Sequence, residues 1–320
     1  LLISHPLLFI TFSANPKYWL LEYCDPTQVL YLAIDRTQWA ATIFLMIALI
    51  WDKRAIPLYF IMLPKKGRSN LASQQAALEK VSPLIKEYKT VVLGDREFCS
   101  VKLAKCLGEQ NLYFCLRLKK TEYVQHESLI WTELKNLGLA PGMSSFMKGV
   151  KLTKAQGFAG ANLAAKWKRK YRGVSVKEGG FIVTNLKNLD AAINTYKQRF
   201  DIEEMFRDGK TGGYNIEESK VSPSRLQAFM VLITLAYSIT TLSGYKFKKM
   251  GVQKYVAPPK ESNRAYRRYR TFQVGVRGEN WVNFINSCHQ EIQEYVSLHQ
   301  NHRSNYQSGQ RAASLIIKEL

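Results

Sequence analysis

Acidic residues are scarce in this chain: 25 Asp and Glu stand against 46 Lys and Arg in 320 residues, a formal charge of +21. Between residues 148 and 177 there are none at all. Such a balance points to a polyanionic partner, nucleic acid first and an anionic membrane second. Cysteine is also sparse, five residues without a CxxC pair, which excludes a disulfide framework and fits reduced thiols in the cytoplasm. Cys288, His289, His299 and His302 lie close in sequence, but no second cysteine accompanies them, and structural zinc is not expected. The first ten residues carry neither a charged n-region nor a small-residue cleavage site. Apolar runs long enough to cross a bilayer are lacking too. Residues 40–50 are too few, and 226–242 are interrupted by Gln227, Tyr237, Ser238 and threonines, so both read as core and no membrane partner is expected. No GxSxG is present, and the Asp208-Gly209-Lys210-Thr211 end of a phosphate loop has Glu204 where its first glycine belongs.

What is present divides the chain into five stretches. Residues 1–27, beginning with Leu rather than Met, read as the remnant of an N-terminal region without an assigned role. Residues 28–118 open with three apolar runs, QVLYLAIDRT, ATIFLMIALIWD and AIPLYFIML, which predict an antiparallel meander. A helix capped by Ser69 or Asn70 follows, with a break near Pro83, then the strand TVVLGD, a helix over 96–110 and the strand NLYFCLRLKK. Residues 119–180 are basic and glycine-rich, with Lys166, Lys168, Arg169, Lys170 and Arg172 around Trp167 and Tyr171; they predict a β-rich insertion that tracks a phosphate backbone. Residues 181–246 supply the strand GGFIVTNL, a helix capped by Asn188 and a long apolar helix starting at Ser222-Pro223-Ser224. Residues 247–320 are basic and mainly helical, with the last twenty loosely ordered.

Within 181–246 the segment YKQRFDIEEMFRDGK predicts one helix. At about 100° per residue, Tyr196, Arg199, Glu203 and Lys210 fall within about 60° of one another and share a face. An ordinary surface of i,i+4 ion pairs explains that face equally well in isolation. Two further acids change the balance. Asp35 and Asp95 fall at or near the ends of two core strands, so three carboxylates distant in sequence can meet at one sheet edge. Convergent carboxylates need a cation between them, and hard oxygen ligands select Mg²⁺ or Mn²⁺. Each acid also has a plainer reading: Asp35 as a turn residue pairing Arg36, Asp95 as a helix cap, Glu203 as half of an ion pair.

IDRTQW around Asp35, VVLGDREF around Asp95, and the Y-(2)-R-(3)-E-(6)-K spacing of Tyr196, Arg199, Glu203 and Lys210 resemble the bacterial DDE transposases of the insertion-sequence-four family, over residues 28–246. The resemblance implies an α/β fold: a ribonuclease H-like mixed sheet flanked by helices, with a β-rich insertion before the catalytic glutamate and a helical C-terminal part. It implies that Asp35, Asp95 and Glu203 hold two Mg²⁺ or Mn²⁺ ions. Tyr196, Arg199 and Lys210 would grip the DNA end, and Lys166, Lys168, Arg169, Lys170 and Arg172 its backbone. It further implies cleavage at transposon ends and strand transfer into double-stranded target DNA by a homodimer, in the cytoplasm with the nucleoid. Trp131 or Trp167 could stack on a flipped base. Two other classes are open: a ribonuclease H-like structure-specific nuclease or resolvase, and a catalytically inactive, N-terminally truncated DNA-binding remnant.

Overall fold

The computed structural model describes residues 20, 22–39, 42–63, 69–126, 130–154, 158–169, 173, 178–210, 212–259, 261–263 and 268–319. It divides into two compact units, Leu1–Phe206 and Arg207–Leu320.

The first unit is built on one ten-stranded sheet. Its strands are β1 (Leu30–Trp39), β2 (Thr42–Trp51), β3 (Arg54–Leu63), β4 (Thr90–Gly94), β5 (Tyr113–Leu118), β6 (Tyr123–Gln125), β7 (Thr132–Glu133), β8 (Ser144–Leu152), β9 (Phe158–Lys166) and β10 (Gly180–Thr184). They lie in the order β3-β2-β1-β4-β5-β10-β9-β8-β6-β7. The three apolar runs form the antiparallel meander β1–β3, joined between β2 and β3 by Asp52 and Lys53. Both residues have positive φ, 44° and 60°, the backbone a two-residue hairpin turn demands. β4 then returns parallel to β1, and β5 parallel to β4. An antiparallel meander flanked by two parallel strands is the ribonuclease H-like core. Its middle strands are Val-, Ile- and Leu-rich because they are covered on both faces; Leu32, Ile34, Val92 and Leu93 are fully buried.

Helices α1 (Leu71–Ile85) and α2 (Val101–Glu109) make the two crossovers to the parallel strands. Asn70 caps α1, its Oδ1 accepting from Ser73 N at 2.8 Å, and Pro83 sits in the last turn, where the helix ends two residues later. The expected helix over 96–110 is instead a 3₁₀ turn, Arg96–Phe98, followed by α2. Gly94 explains the tight exit from β4: a Cβ there would lie 2.8 Å from the Cβ of Phe98 and 2.9 Å from Leu116. The basic stretch does contribute strands. Through β9 and β10, antiparallel at Phe181 and Ala165, they extend the same sheet rather than forming one of their own. Lys170 and Arg172 lie outside the described residues.

α3 (Leu189–Lys197), capped by Asn188 Oδ1 on Ala191 N at 2.8 Å, packs Ala192, Ile193 and Tyr196 against Val91, Leu93, Cys115 and Ile182 of the sheet. α4 (Phe200–Lys210) follows.

The second unit is helical: α5 (Pro223–Lys249), α6 (Gln253–Val256), α7 (Thr271–Ser287), α8 (His289–Leu298) and α9 (Arg303–Ile317). α5 is long and apolar enough to cross a membrane by length and composition. In this unit it packs closely on α7. A Cβ on Gly244 would lie 1.9 Å from the Thr271 carbonyl oxygen, and one on Gly275 would lie 2.0 Å from that of Thr240, so only glycine admits this approach. The last twenty residues, expected to be loosely ordered, contain the whole of α9. Ala312, Ala313 and Ile316 repeat at helical spacing and are buried in a cluster with Phe247, Val274 and Val282.

Candidate active site

The site starts from strand register. β1 and β4 are parallel neighbours with Ile34 beside Gly94, so the next residue of each, Asp35 and Asp95, emerges at the same level of the sheet. β4 ends there, whereas β1 continues beside β2 to Trp39, which puts Asp35 inside its strand rather than at the end. The third acid arrives from the helices. Residues 196–210 do not form the single helix that their spacing suggests: α3 ends at Lys197, a turn covers Gln198 and Arg199, and α4 begins at Phe200. Successive i to i+3 bonds tighten the break: Gln198 N to Thr195 O, Arg199 N to Tyr196 O, and Ile202 N to Arg199 O. The common face computed for a straight helix therefore does not apply, and tertiary contacts bring the side chains together instead.

Arg199 is the hub. Its guanidinium is 3% exposed; Nη1 lies 3.2 Å from Asp35 Oδ2 and Nη2 2.6 Å from Glu203 Oε1. It stacks 4.8 Å from the Phe200 ring centroid, and its Nε is buried without a hydrogen-bond partner among the described residues. Tyr196 is buried in the sheet-facing core, and its hydroxyl donates to Asp95 Oδ1 at 3.4 Å. Its ring thus belongs to the core while its hydroxyl reaches the Asp95 carboxylate. Burial pushes the Tyr196 phenol above its ordinary value.

Asp35 accepts from the Arg36 backbone N at 2.8 Å through Oδ1. Burial pushes its carboxyl up to about 6, against the opposing pull of Arg199 and the Arg36 N–H, with Asp95 and Glu203 adding to the rise. Asp35 therefore feels both other acids, and the cation it shares with Glu203 is the Arg199 guanidinium. Glu203, by contrast, is 49% exposed. Their hard oxygens suit Mg²⁺ or Mn²⁺ in type. Among the described residues, however, no group of three or more His, Cys, Asp or Glu side chains is gathered to hold a metal ion.

The Arg36 side chain does not pair with Asp35, as the plainer sequence reading has it; its Nε meets Glu97 Oε2. Glu97 is the residue that sequence reasoning missed, and its place in VVLGDREF, two residues after Asp95, was the only available signal. Asp95 stands at the N-cap position of the 3₁₀ turn but makes no side-chain capping bond, which removes its plainer reading. Lys210 is the final residue of α4 and half-buried, in the second unit. Lys166, at the end of β9, and Lys168 and Arg169 beyond it are exposed; Trp131 and Trp167 are half-buried.

No curated protein matches the chain. Among solved structures, it resembles a piggyBac transposase in a synaptic complex with hairpin DNA, at 13% identity over 87% of this chain and a TM-score of 0.43. It also resembles the Marinitoga piezophila Argonaute in complex with a 5′-OH guide RNA, at 13% identity over 56% of this chain and 26% of that one, with a TM-score of 0.26. The chain spans 57% of the length of the piggyBac protein. The family model described as the transposase DDE domain matches residues 44–239, a stretch that includes Asp95, Tyr196, Arg199, Glu203 and Lys210 and begins after Asp35. More than half of the sequence is covered by that match, and the chain belongs to the transposase DDE domain family.

Proposed function

We propose that this protein is a DNA transposase of the insertion-sequence-four type, which cleaves phosphodiester bonds at the ends of an insertion sequence and joins the freed 3′-hydroxyls to target DNA. The observation that supports it most directly is the approach of Asp35 and Glu203 to one buried cation, with Asp95 level with Asp35 just past the end of the neighbouring strand. Asp35, Asp95 and Glu203 would hold divalent metal, Mg²⁺ or Mn²⁺, two ions in the full complex. Such ions, when bound, activate the attacking water or 3′-hydroxyl and stabilise the leaving oxygen.

The chain's own residues supply the rest. Arg199 offers a planar fork suited to a phosphate, and Lys210 a point charge. Tyr196 orients Asp95 through its hydroxyl while its ring anchors α3 on the sheet. Lys166, Lys168 and Arg169 present exposed cations to the DNA backbone, and Lys170 and Arg172 extend that run in sequence. The partners on this reading are double-stranded transposon ends and target DNA, bound by a homodimer in the cytoplasm at the nucleoid.

The test is joining. The purified protein, given Mg²⁺ and duplex DNA carrying the inverted repeats that flank its gene, is expected to join those ends to a target plasmid through their 3′-hydroxyls. Cleavage of branched DNA without joining would favour the structure-specific nuclease. Binding without either reaction would favour the inactive remnant.

A further inference from the structure

Each aspartate of the site is followed by an arginine, and in both cases a distant glutamate takes that arginine. Arg96 Nη2 meets Glu178 Oε1, whose other oxygen lies 3.1 Å from Lys120 Nζ. The pair at Asp35 is the more enclosed, with Arg36 and Glu97 at 29% and 16% exposure against 40% and 26% for Arg96 and Glu178. Glu97 has further partners. Its Oε1 accepts from both the backbone N and the hydroxyl of Ser69, at 3.0 and 3.1 Å. Ser69 is held in turn by the buried Gln74, whose Nε2 donates to its Oγ at 3.0 Å. One carboxylate thus ties together three segments: β1 directly after Asp35, the 3₁₀ turn directly after Asp95, and the entry to α1.

We infer that Glu97 is a positioning residue for the divalent-metal site, fixing the Asp35 and Asp95 backbones relative to each other through Arg36 and Ser69. The inference rests on the reading of Asp35 and Asp95 as metal ligands. By residue type Glu97 could be counted as a fourth ligand. Both of its oxygens are instead engaged by N–H and O–H donors, which is the arrangement of a group that orients ligands rather than one that binds metal. An ion pair with no positioning role would alter stability slightly and leave metal affinity alone.

The experiment is Mn²⁺ binding to the full DNA-free chain, read by the electron paramagnetic resonance of free Mn²⁺, with thermal midpoint and duplex-DNA affinity measured on the same samples. Glu97→Gln keeps a carbonyl for Ser69 but loses the charge that holds Arg36. It is expected to raise the Mn²⁺ half-saturation concentration about tenfold or more, with the midpoint within about 3 °C of the parent and DNA affinity unchanged. Arg36→Lys, which keeps the charge but loses the fork, is expected to give a smaller rise in the same direction, and it serves if Glu97→Gln fails to fold. A Mn²⁺ curve for Glu97→Gln, or for Arg36→Lys in its place, that superposes on the parent would overturn the proposal. So would a rise accompanied by a matching collapse of the midpoint. Asp35→Asn and Asp95→Asn run alongside. If they bind Mn²⁺ as the parent does, the ligand assignment fails; if they lose it while Glu97→Gln does not, only the positioning role fails.

Discussion

Replacing Arg199 with Met removes the cation from the centre of the site while retaining most of the apolar stem. Two carboxylates lose their partner, but unequally. Glu203 is 49% exposed, so water screens it and its share is at most about 1 kcal/mol. Asp35 is 17% exposed and already carries a carboxyl raised by burial to about 6 despite Arg199. Removing one member of a buried pair costs about 3–5 kcal/mol, and because Asp35 can relieve the loss by taking a proton, we expect the lower end, about 3 kcal/mol at pH 7.5. At roughly 2–4 °C per kcal/mol for a unit of this size, the metal-free variant should melt about 6–12 °C below the parent. Two reversals should follow. Near pH 4, where the raised Asp35 carboxyl is protonated, the deficit should shrink markedly. Saturating Mn²⁺ should raise the midpoint of the variant more than that of the parent, in which Mn²⁺ must displace the guanidinium from Asp35 and Glu203; binding at about 100 times Kd contributes about 2.7 kcal/mol. Thermal melts by circular dichroism at two pH values, with and without Mn²⁺, decide it. Equal metal-free midpoints for Arg199→Met and the parent, or equal Mn²⁺ gains, would refute the reading that the Arg199 guanidinium neutralises Asp35 and Glu203.

Three other outcomes are expected. The Asp35 carboxyl is raised from 3.8 in the unfolded chain to about 6 in the folded one, so the folded state holds the extra proton between those values; its contribution to stability is present below about pH 4 and is lost as pH rises through 6. At about 1.4 kcal/mol per unit this amounts to roughly 3 kcal/mol, and urea titrations across that window should show the slope in the parent and its absence in Asp35→Asn. Gly275→Ala places a Cβ 2.0 Å from the Thr240 carbonyl oxygen, so α5 and α7 must separate; a loss of about 1–3 kcal/mol or more in chemical unfolding is expected. Tyr196→Phe removes only a 3.4 Å hydrogen bond to Asp95 and should cost about 1 kcal/mol at most, whereas Tyr196→Ala empties part of the core beneath α3 and should cost about 3–5 kcal/mol in the same assay.

The meander β1–β3 was legible because its three strands are apolar runs, the second and third divided by the charged Asp52-Lys53 turn, and the strands before Asp95 and after Gly179 were legible as short apolar runs too. That Asp35 and Asp95 fall level was not, because parallel register is a pairing between segments separated by a helix; it became visible only with Ile34 beside Gly94. The turn at Gln198 and Arg199 was hidden since neither residue is a helix breaker. The break follows from Arg199 reaching inward to Asp35 while Tyr196 stays in the core. Glu97 was illegible for a different reason: a carboxylate near a strand end has the same sequence signature whether it binds an ion, caps a turn or braces an arginine. α9 was missed because its buried residues are two alanines and one isoleucine, too small a stripe to stand out among Ser, Gln and Arg.

The central claim is that Asp35, Asp95 and Glu203 act together on a phosphodiester through divalent metal. Its most direct test is single-turnover cleavage of an end-labelled duplex bearing the element's terminus, with Mg²⁺, by the parent and by Asp35→Asn, Asp95→Asn and Glu203→Gln at equal DNA occupancy. The parent is expected to give a 3′-hydroxyl product with Mg²⁺ and none without it, and all three variants are expected to lose cleavage with DNA affinity intact. Cleavage at the parent's rate by any one of the three would contradict it.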